Sequence, residues 1–107
     1  MTEHRVVFCT CPDQDTAAAI ASRLVAEKLA ACVNILPGLT SVYEWEGKVE
    51  TDPESLLIIK TAGDRLGALT RRIETLHPYE VPEVIALPIE DGLPAYLNWI
   101  TDETRPQ

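Results

Sequence analysis

The order of apolar and polar stretches predicts an α+β domain of the form βαββαβ with one further helix at the C-terminus. Runs of β-branched and long apolar residues at Val6-Val7-Phe8-Cys9, Cys32-Val33-Asn34-Ile35-Leu36, Leu56-Leu57-Ile58-Ile59 and Val84-Ile85-Ala86-Leu87 read as four strands. Two intervening segments instead repeat their apolar residues at helical spacing. The length of 107 residues, 46% of them hydrophobic, supplies one core and not two, so residues 1–107 are expected to form a single domain.

The first strand is expected over Arg5 to Thr10, with Cys11-Pro12-Asp13 stopping it. Asp13 or Asp15 can cap the helix that follows, in which Ala17, Ile20, Ala21, Leu24, Val25 and Leu29 form the apolar face. The second strand starts at Cys32. Pro37-Gly38 predicts a kink or bulge within it before extended structure resumes from Leu39 to Trp45. Glu46-Gly47-Lys48 marks a hairpin tip, and Pro53 places the returning arm at an edge.

A second helix is expected to start at Asp64 as N-cap and to bury Leu66, Leu69, Ile73 and Leu76, ending at His77-Pro78. The fourth strand is expected over Glu83 to Ile89. Leu93-Pro94 then opens a terminal helix bearing Tyr96, Leu97, Trp99 and Ile100, and the polar tail from Thr101 to Gln107 is expected to fray. This order fits a ferredoxin-like sandwich, in which both crossover helices lie on one face of an antiparallel sheet.

The central hairpin, from about Cys32 to Ile59, is longer per strand than the usual five or six residues. Its ends must project and carry Val42, Tyr43 and Trp45 outward, where bare apolar surface and unpaired backbone are liabilities. Self-association with closed symmetry resolves this.

The formal net charge of −8 argues against nucleic acid as a partner, because phosphate binding needs clustered Lys and Arg. Only Arg71-Arg72 forms a small basic cluster, expected on the solvated face of a helix. No stretch approaches the ~18 apolar residues of a membrane span or the length of a signal-peptide core, so no membrane partner and a cytoplasmic location are expected. Three cysteines, Cys9, Cys11 and Cys32, then imply reduced thiols rather than a disulfide framework. Such thiols bind soft metals or serve as small buried apolar residues.

In His77-Pro78-Tyr79-Glu80-Val81-Pro82-Glu83, two prolines fix the chain just where a helix must end, and both His77 and Val81 are biased to extended geometry. This block, with Cys9-Thr10-Cys11-Pro12-Asp13, the run from Ala26 to Ile35, and Tyr43-Glu44-Trp45-Glu46-Gly47-Lys48, resembles the CutA divalent-cation tolerance proteins in both order and spacing. The resemblance covers nearly the whole chain. It implies a ferredoxin-like subunit in a homotrimer whose neighbouring strands pair edge to edge, a role in tolerance to divalent metal ions, copper above all, and a capacity to bind such cations. In animals, related proteins are linked to the handling of a membrane-anchored enzyme.

The resemblance further implies metal ligands at Cys9 and His77. The histidine that would precede His77 is replaced by Leu76, which leaves the implied set incomplete. Independently, Cys9 and Cys11 stand two apart and share a face if the strand continues through both, a spacing able to capture a soft cation. His4 is expected to be a disordered terminal residue rather than a ligand. An alternative function is a signalling or adaptor trimer like the PII-type proteins, with Tyr79, Trp45, Glu80 and Glu83 lining an intersubunit pocket. An enzyme is not expected: His-Glu-x-x-His, Gly-x-Ser-x-Gly and a Gly-rich phosphate loop are all missing from the sequence, which offers no catalytic and no cofactor-binding residues.

Overall fold

The structure, a computed structural model, describes residues 3–106. Residues 1–2 at the start and Gln107, the end of the tail expected to fray, lie outside the described residues. The elements follow the order β1 (His4–Cys11), α1 (Gln14–Ala26), β2 (Cys32–Trp45), β3 (Lys48–Ala62), α2 (Leu66–Leu76), β4 (Ile85–Pro88) and α3 (Pro94–Glu103). The four strands form one antiparallel sheet in the order β2-β3-β1-β4, as a ferredoxin-like βαββαβ arrangement requires.

Strand β1 runs one residue further at each end than its apolar content alone indicates. Cys11 pairs with Ser55, and His4 with Ala62. Pairing, not residue type, sets these ends. Because side chains alternate along the strand, Val7, Cys9 and Cys11 all point to one face, and all three are fully buried. They meet Ala17, Ile20 and Leu24 of α1, Leu69 and Ile73 of α2, and Leu57 and Ile59 of β3 in one core.

Of the two candidate caps for α1, Asp13 acts: its carboxylate accepts from the Thr16 N–H at 2.7 Å. The helix ends at Ala26, sooner than the apolar periodicity suggests, and Lys28 takes a left-handed conformation with φ of 58°. Val25 is left 43% exposed, whereas Leu29 is carried back onto the core by the closing turn, its N–H bonded to the Leu24 carbonyl at 2.9 Å.

The predicted irregularity at Pro37-Gly38 is a bulge. Leu36 pairs with Leu56 and Leu39 with Glu54, so β2 carries one extra residue there, and Gly38 supplies the positive φ of 79°. At the hairpin tip Glu46 and Gly47 both have positive φ, 49° and 79°, the geometry of a tight turn that matches strand twist. Beyond the reach of β1, which pairs only with Ser55–Ala62, the segment of β3 that contains Pro53 has β2 on one side and no strand on the other. The edge expected from that proline is present.

Three further sequence expectations fail at element ends. Asp64 does not cap α2; Gly63–Arg65 form a 3-10 turn, and the Asp64 carboxylate instead pairs with the Arg105 guanidinium at 2.6 Å. Strand β4 is four residues long rather than the seven of Glu83 to Ile89: its ladder with β1 covers Arg5 to Phe8, and Ile89 adds only an N–H bond to the His4 carbonyl at 3.1 Å. The tail is anchored rather than frayed: Thr101–Glu103 are helical, Thr104 is fully buried, and the Thr104 hydroxyl donates to the Ile100 carbonyl at 2.8 Å. His4 is likewise ordered, buried, and hydrogen-bonded through Nε2 to the Thr101 hydroxyl at 2.8 Å. Polarity alone predicted disorder at both ends, but the two ends hold each other.

Candidate metal centre

Strand β1 and the end of α2 converge where Cys9, Cys11 and His77 meet. One ligand-capable atom from each lies within 4.8 Å of the others, and all three residues are buried. Alternation on β1 explains the two thiols, since a continuous strand puts residues i and i+2 on the same face. Pro78 explains the histidine: it forces His77 into extended geometry, with φ of −79° and ψ of 138°, which ends the helix and turns the chain at the core margin. The His77 N–H still closes the last turn on the Ile73 carbonyl at 2.8 Å.

The His77 ring is fixed at both nitrogens. Its Nδ1 accepts from the Tyr79 N–H at 3.1 Å, so Nε2 carries the proton and donates to the Thr10 carbonyl at 2.8 Å. The Tyr79 ring lies against it, with centroids 4.7 Å apart. To coordinate a cation, His77 would give up one of these bonds, a net loss of about 1 kcal/mol.

The thiols differ from each other. Cys9 is pushed well above the usual thiol range, first by its hydrogen bond with Cys11, then by burial, then by negative charge at Cys11, Glu83 and Glu54. Cys11 is lowered by the same Cys9 hydrogen bond, against the opposing effects of burial and of Glu54 and Asp13. Of the two, Cys11 is therefore the thiol that gives up its proton more readily and Cys9 the one that holds it. A cation entering would displace that proton, as thiolate ligation does generally.

The residues fit a soft or borderline cation. Two sulfurs and an imidazole are the donors that select copper(I) or zinc over hard ions, and three converging donors exceed the two that the resemblance implied. Cys9 and His77 are brought together as expected. Leu76, at the position of the absent second histidine, packs against the core, and Cys11 is the third ligand-capable residue of the cluster. The Cys-x-Cys spacing was the signal for Cys11, and it depended on β1 continuing past Thr10. Glu54 gave no such signal: it is 9% exposed and accepts from the Tyr79 hydroxyl at 2.9 Å, because β3 places it beside the His77–Glu83 segment. Burial, followed by the Glu54 carboxylate, raises the Tyr79 phenol.

Residues 5–103 match the family described as CutA1 divalent ion tolerance protein. The chain is 50% identical over 99 residues to the divalent-cation tolerance protein CutA of Thermus thermophilus, spanning 92% of this chain and 96% of that one. It is 54% identical over 100 residues to a chloroplastic CutA 1 protein of Oryza sativa subsp. japonica, spanning 94% of this chain but 56% of that one. The chain thus spans little more than half the length of that plant relative. The crystal structure of CutA1 from Oryza sativa superposes with a TM-score of 0.95 at 52% identity, covering 97% of this chain and 95% of that one.

Proposed function

Because the chain belongs to the CutA1 divalent ion tolerance family, we propose that it binds a metal cation as cargo, copper above all, through Cys9, Cys11 and His77. The observation that carries this reading is the convergence of three soft donors within 4.8 Å. Cys11 is the first point of attachment, because it loses its proton more readily than Cys9. Cys9 follows by releasing its proton, and His77 completes the set by exchanging one hydrogen bond for the metal. No step needs catalysis, and the family is named for tolerance rather than for a reaction.

Self-association belongs to the same proposal. Val42, Trp45 and Val49 are each about two-thirds exposed or more, and Ile85 and Leu87 lie exposed on β4, whose outer edge has no strand beside it. A projecting arm at one end and an open edge strand at the other are different surfaces, so pairing between them is heterologous and closes as a ring, here a trimer. A cytoplasmic location is kept within this proposal; among the described residues no helix is long and apolar enough to cross a membrane, while the rice relative is named chloroplastic.

The test is copper retained after gel filtration under reducing conditions. Wild type is expected to keep about one ion per chain, with Cys9→Ser and Cys11→Ser each losing most of it. Equal retention by all three proteins would remove the thiols from the proposal.

A further inference from the structure

The link between β4 and α3 is short and held at both ends. Before it, the Ile89 N–H bonds the His4 carbonyl at 3.1 Å; after it, the Leu93 carbonyl accepts from the Tyr96 and Leu97 N–H groups at 3.0 Å each. Glu90, Asp91 and Gly92 span the gap, and all three are exposed. Here the Asp91 carboxylate folds over its own backbone, its Oδ1 accepting from the Gly92 N–H at 2.8 Å. The nitrogen of one peptide unit thus sits against the carboxyl group of the residue before it.

That contact is the approach to an imide. An amide nitrogen that reaches the carboxyl carbon of the preceding aspartate closes a five-membered succinimide ring, and the hydrogen-bonded ring holds the same atoms with the proton and Oδ1 still between nitrogen and carbon. Glycine favours the step, having no Cβ to crowd the nitrogen and the freest backbone for turning it. Among the aspartates and asparagines of the chain, Asp91 alone is followed by glycine. The fold withholds the other aspartates. Asp52 precedes Pro53, whose nitrogen has no N–H. The Asp64 carboxylate is gripped by Arg105, and that of Asp13 caps α1 at the Thr16 N–H. Asp15 and Asp102 lie inside α1 and α3, where helical dihedrals hold the following amide away from the side chain.

We propose that Asp91-Gly92 is a modification site at which the backbone isomerises to isoaspartate. In the first step the Gly92 nitrogen bonds Asp91 Cγ, the C–OH bond of the protonated carboxyl breaks, and the amide proton and that hydroxyl leave as one water. Water then opens the imide. Addition at Cγ restores aspartate. Addition at the Asp91 main-chain carbonyl carbon breaks its bond to nitrogen instead, so the chain continues through Cβ and Cγ and the former main-chain carbonyl becomes the free carboxylate. Water is released once and consumed once, so the product keeps its mass and gains one carbon in its backbone. The extra carbon falls between two fixed ends. Gly92 is seated against Leu97, where an added Cβ would lie 3.2 Å from Cδ2, so the longer link loads the Ile89–His4 bond on one side and the first turn of α3 on the other.

Ageing of the intact protein at neutral pH and raised temperature tests the proposal. Two readouts apply: peptide mapping with electron-transfer fragmentation, which separates isoaspartate from aspartate, and methyl transfer from S-adenosylmethionine with an isoaspartyl methyltransferase as probe. Isoaspartate is expected to accumulate at Asp91 ahead of every other aspartate, through a species lighter by one water, and no more slowly than in a free peptide spanning residues 89–96. Gly92→Ala is expected to slow it about tenfold, a rise of about 1.4 kcal/mol in the barrier. Because that Cβ crowds Leu97, Asp91→Glu serves as a second variant: it keeps the charge, leaves Gly92 untouched and would need a six-membered ring, so methyl uptake at this position is expected to vanish. Conversion slower than in the peptide, equal accumulation at another aspartate, or unchanged methyl uptake in the folded Asp91→Glu protein would each overturn it.

Discussion

At the scale of single residues, the contrast between Cys9 and Cys11 decides the chemistry. Two thiols on one strand face differ in how readily they ionise, and Glu54 and Glu83 oppose proton loss from Cys9 until a positive ion arrives. The thiolate is the form that alkylates, and both residues are fully buried, whereas Cys32 is half-buried. Iodoacetamide at neutral pH is therefore expected to modify Cys32 first, with Cys9 reacting only as fast as the core opens. Peptide mapping over time checks this, and equal rates at Cys9 and Cys32 would contradict the account. The residue types were legible: Cys9 and His77 stood out in the sequence, and their meeting is what the family resemblance implied. Cys11 was legible only as a spacing, because whether residues i and i+2 share a face depends on where the strand ends. That end is set by pairing with Ser55, some forty residues away, which no local pattern reports.

At the scale of elements, local signals located the strands and helices well and their ends poorly. Pro37-Gly38, Glu46-Gly47 and His77-Pro78 act through their own backbone preferences, so each was readable where it stands. Asp64 was misread because its carboxylate answers to Arg105, a partner 41 residues distant, rather than to a helix N-terminus. The contact between α1 and α2 is of the same long-range kind. Glu27, just past the end of α1, accepts from Arg72 of α2 at 2.9 Å and from Arg23 at 3.0 Å. Arg72 chiefly, through its hydrogen bonds, holds the Glu27 carboxyl below its usual value of 4.5. A folded-state pKa below the unfolded one means the contribution is complete above about pH 4.5 and is lost as pH falls through the lowered value. Because the pair is solvent-exposed, the effect is small. Thermal melts between pH 6 and 3 are expected to fall slightly more steeply for wild type than for Arg72→Met; a steeper fall in the variant would show that the pair does not hold the helices.

At the scale of the whole molecule, the chain is drawn out. Its radius of gyration of 14.4 Å exceeds the roughly 13 Å typical of a compact chain this long, and it measures 45 × 26 × 22 Å. The hairpin arm accounts for the excess, and its projection was foreseeable from strand length alone. What covers the arm was not, since an interface is a property of two surfaces and the sequence displays them far apart. If the exposed arm and the open β4 edge bury one another in a ring, sedimentation at low micromolar concentration is expected to give the mass of three chains. Ile85→Lys on the β4 edge is then expected to shift the population toward single chains without loss of helix content. A wild-type monomer with native secondary structure would contradict the self-association proposal.

The proposed metal centre is tested most directly by X-ray absorption spectroscopy of the reduced, copper(I)-loaded protein. The account predicts an inner coordination sphere of two sulfurs with one imidazole nitrogen, losing one sulfur in Cys11→Ser. A sphere of oxygen and nitrogen alone, unchanged in that variant, would contradict it and place the metal elsewhere on the molecule.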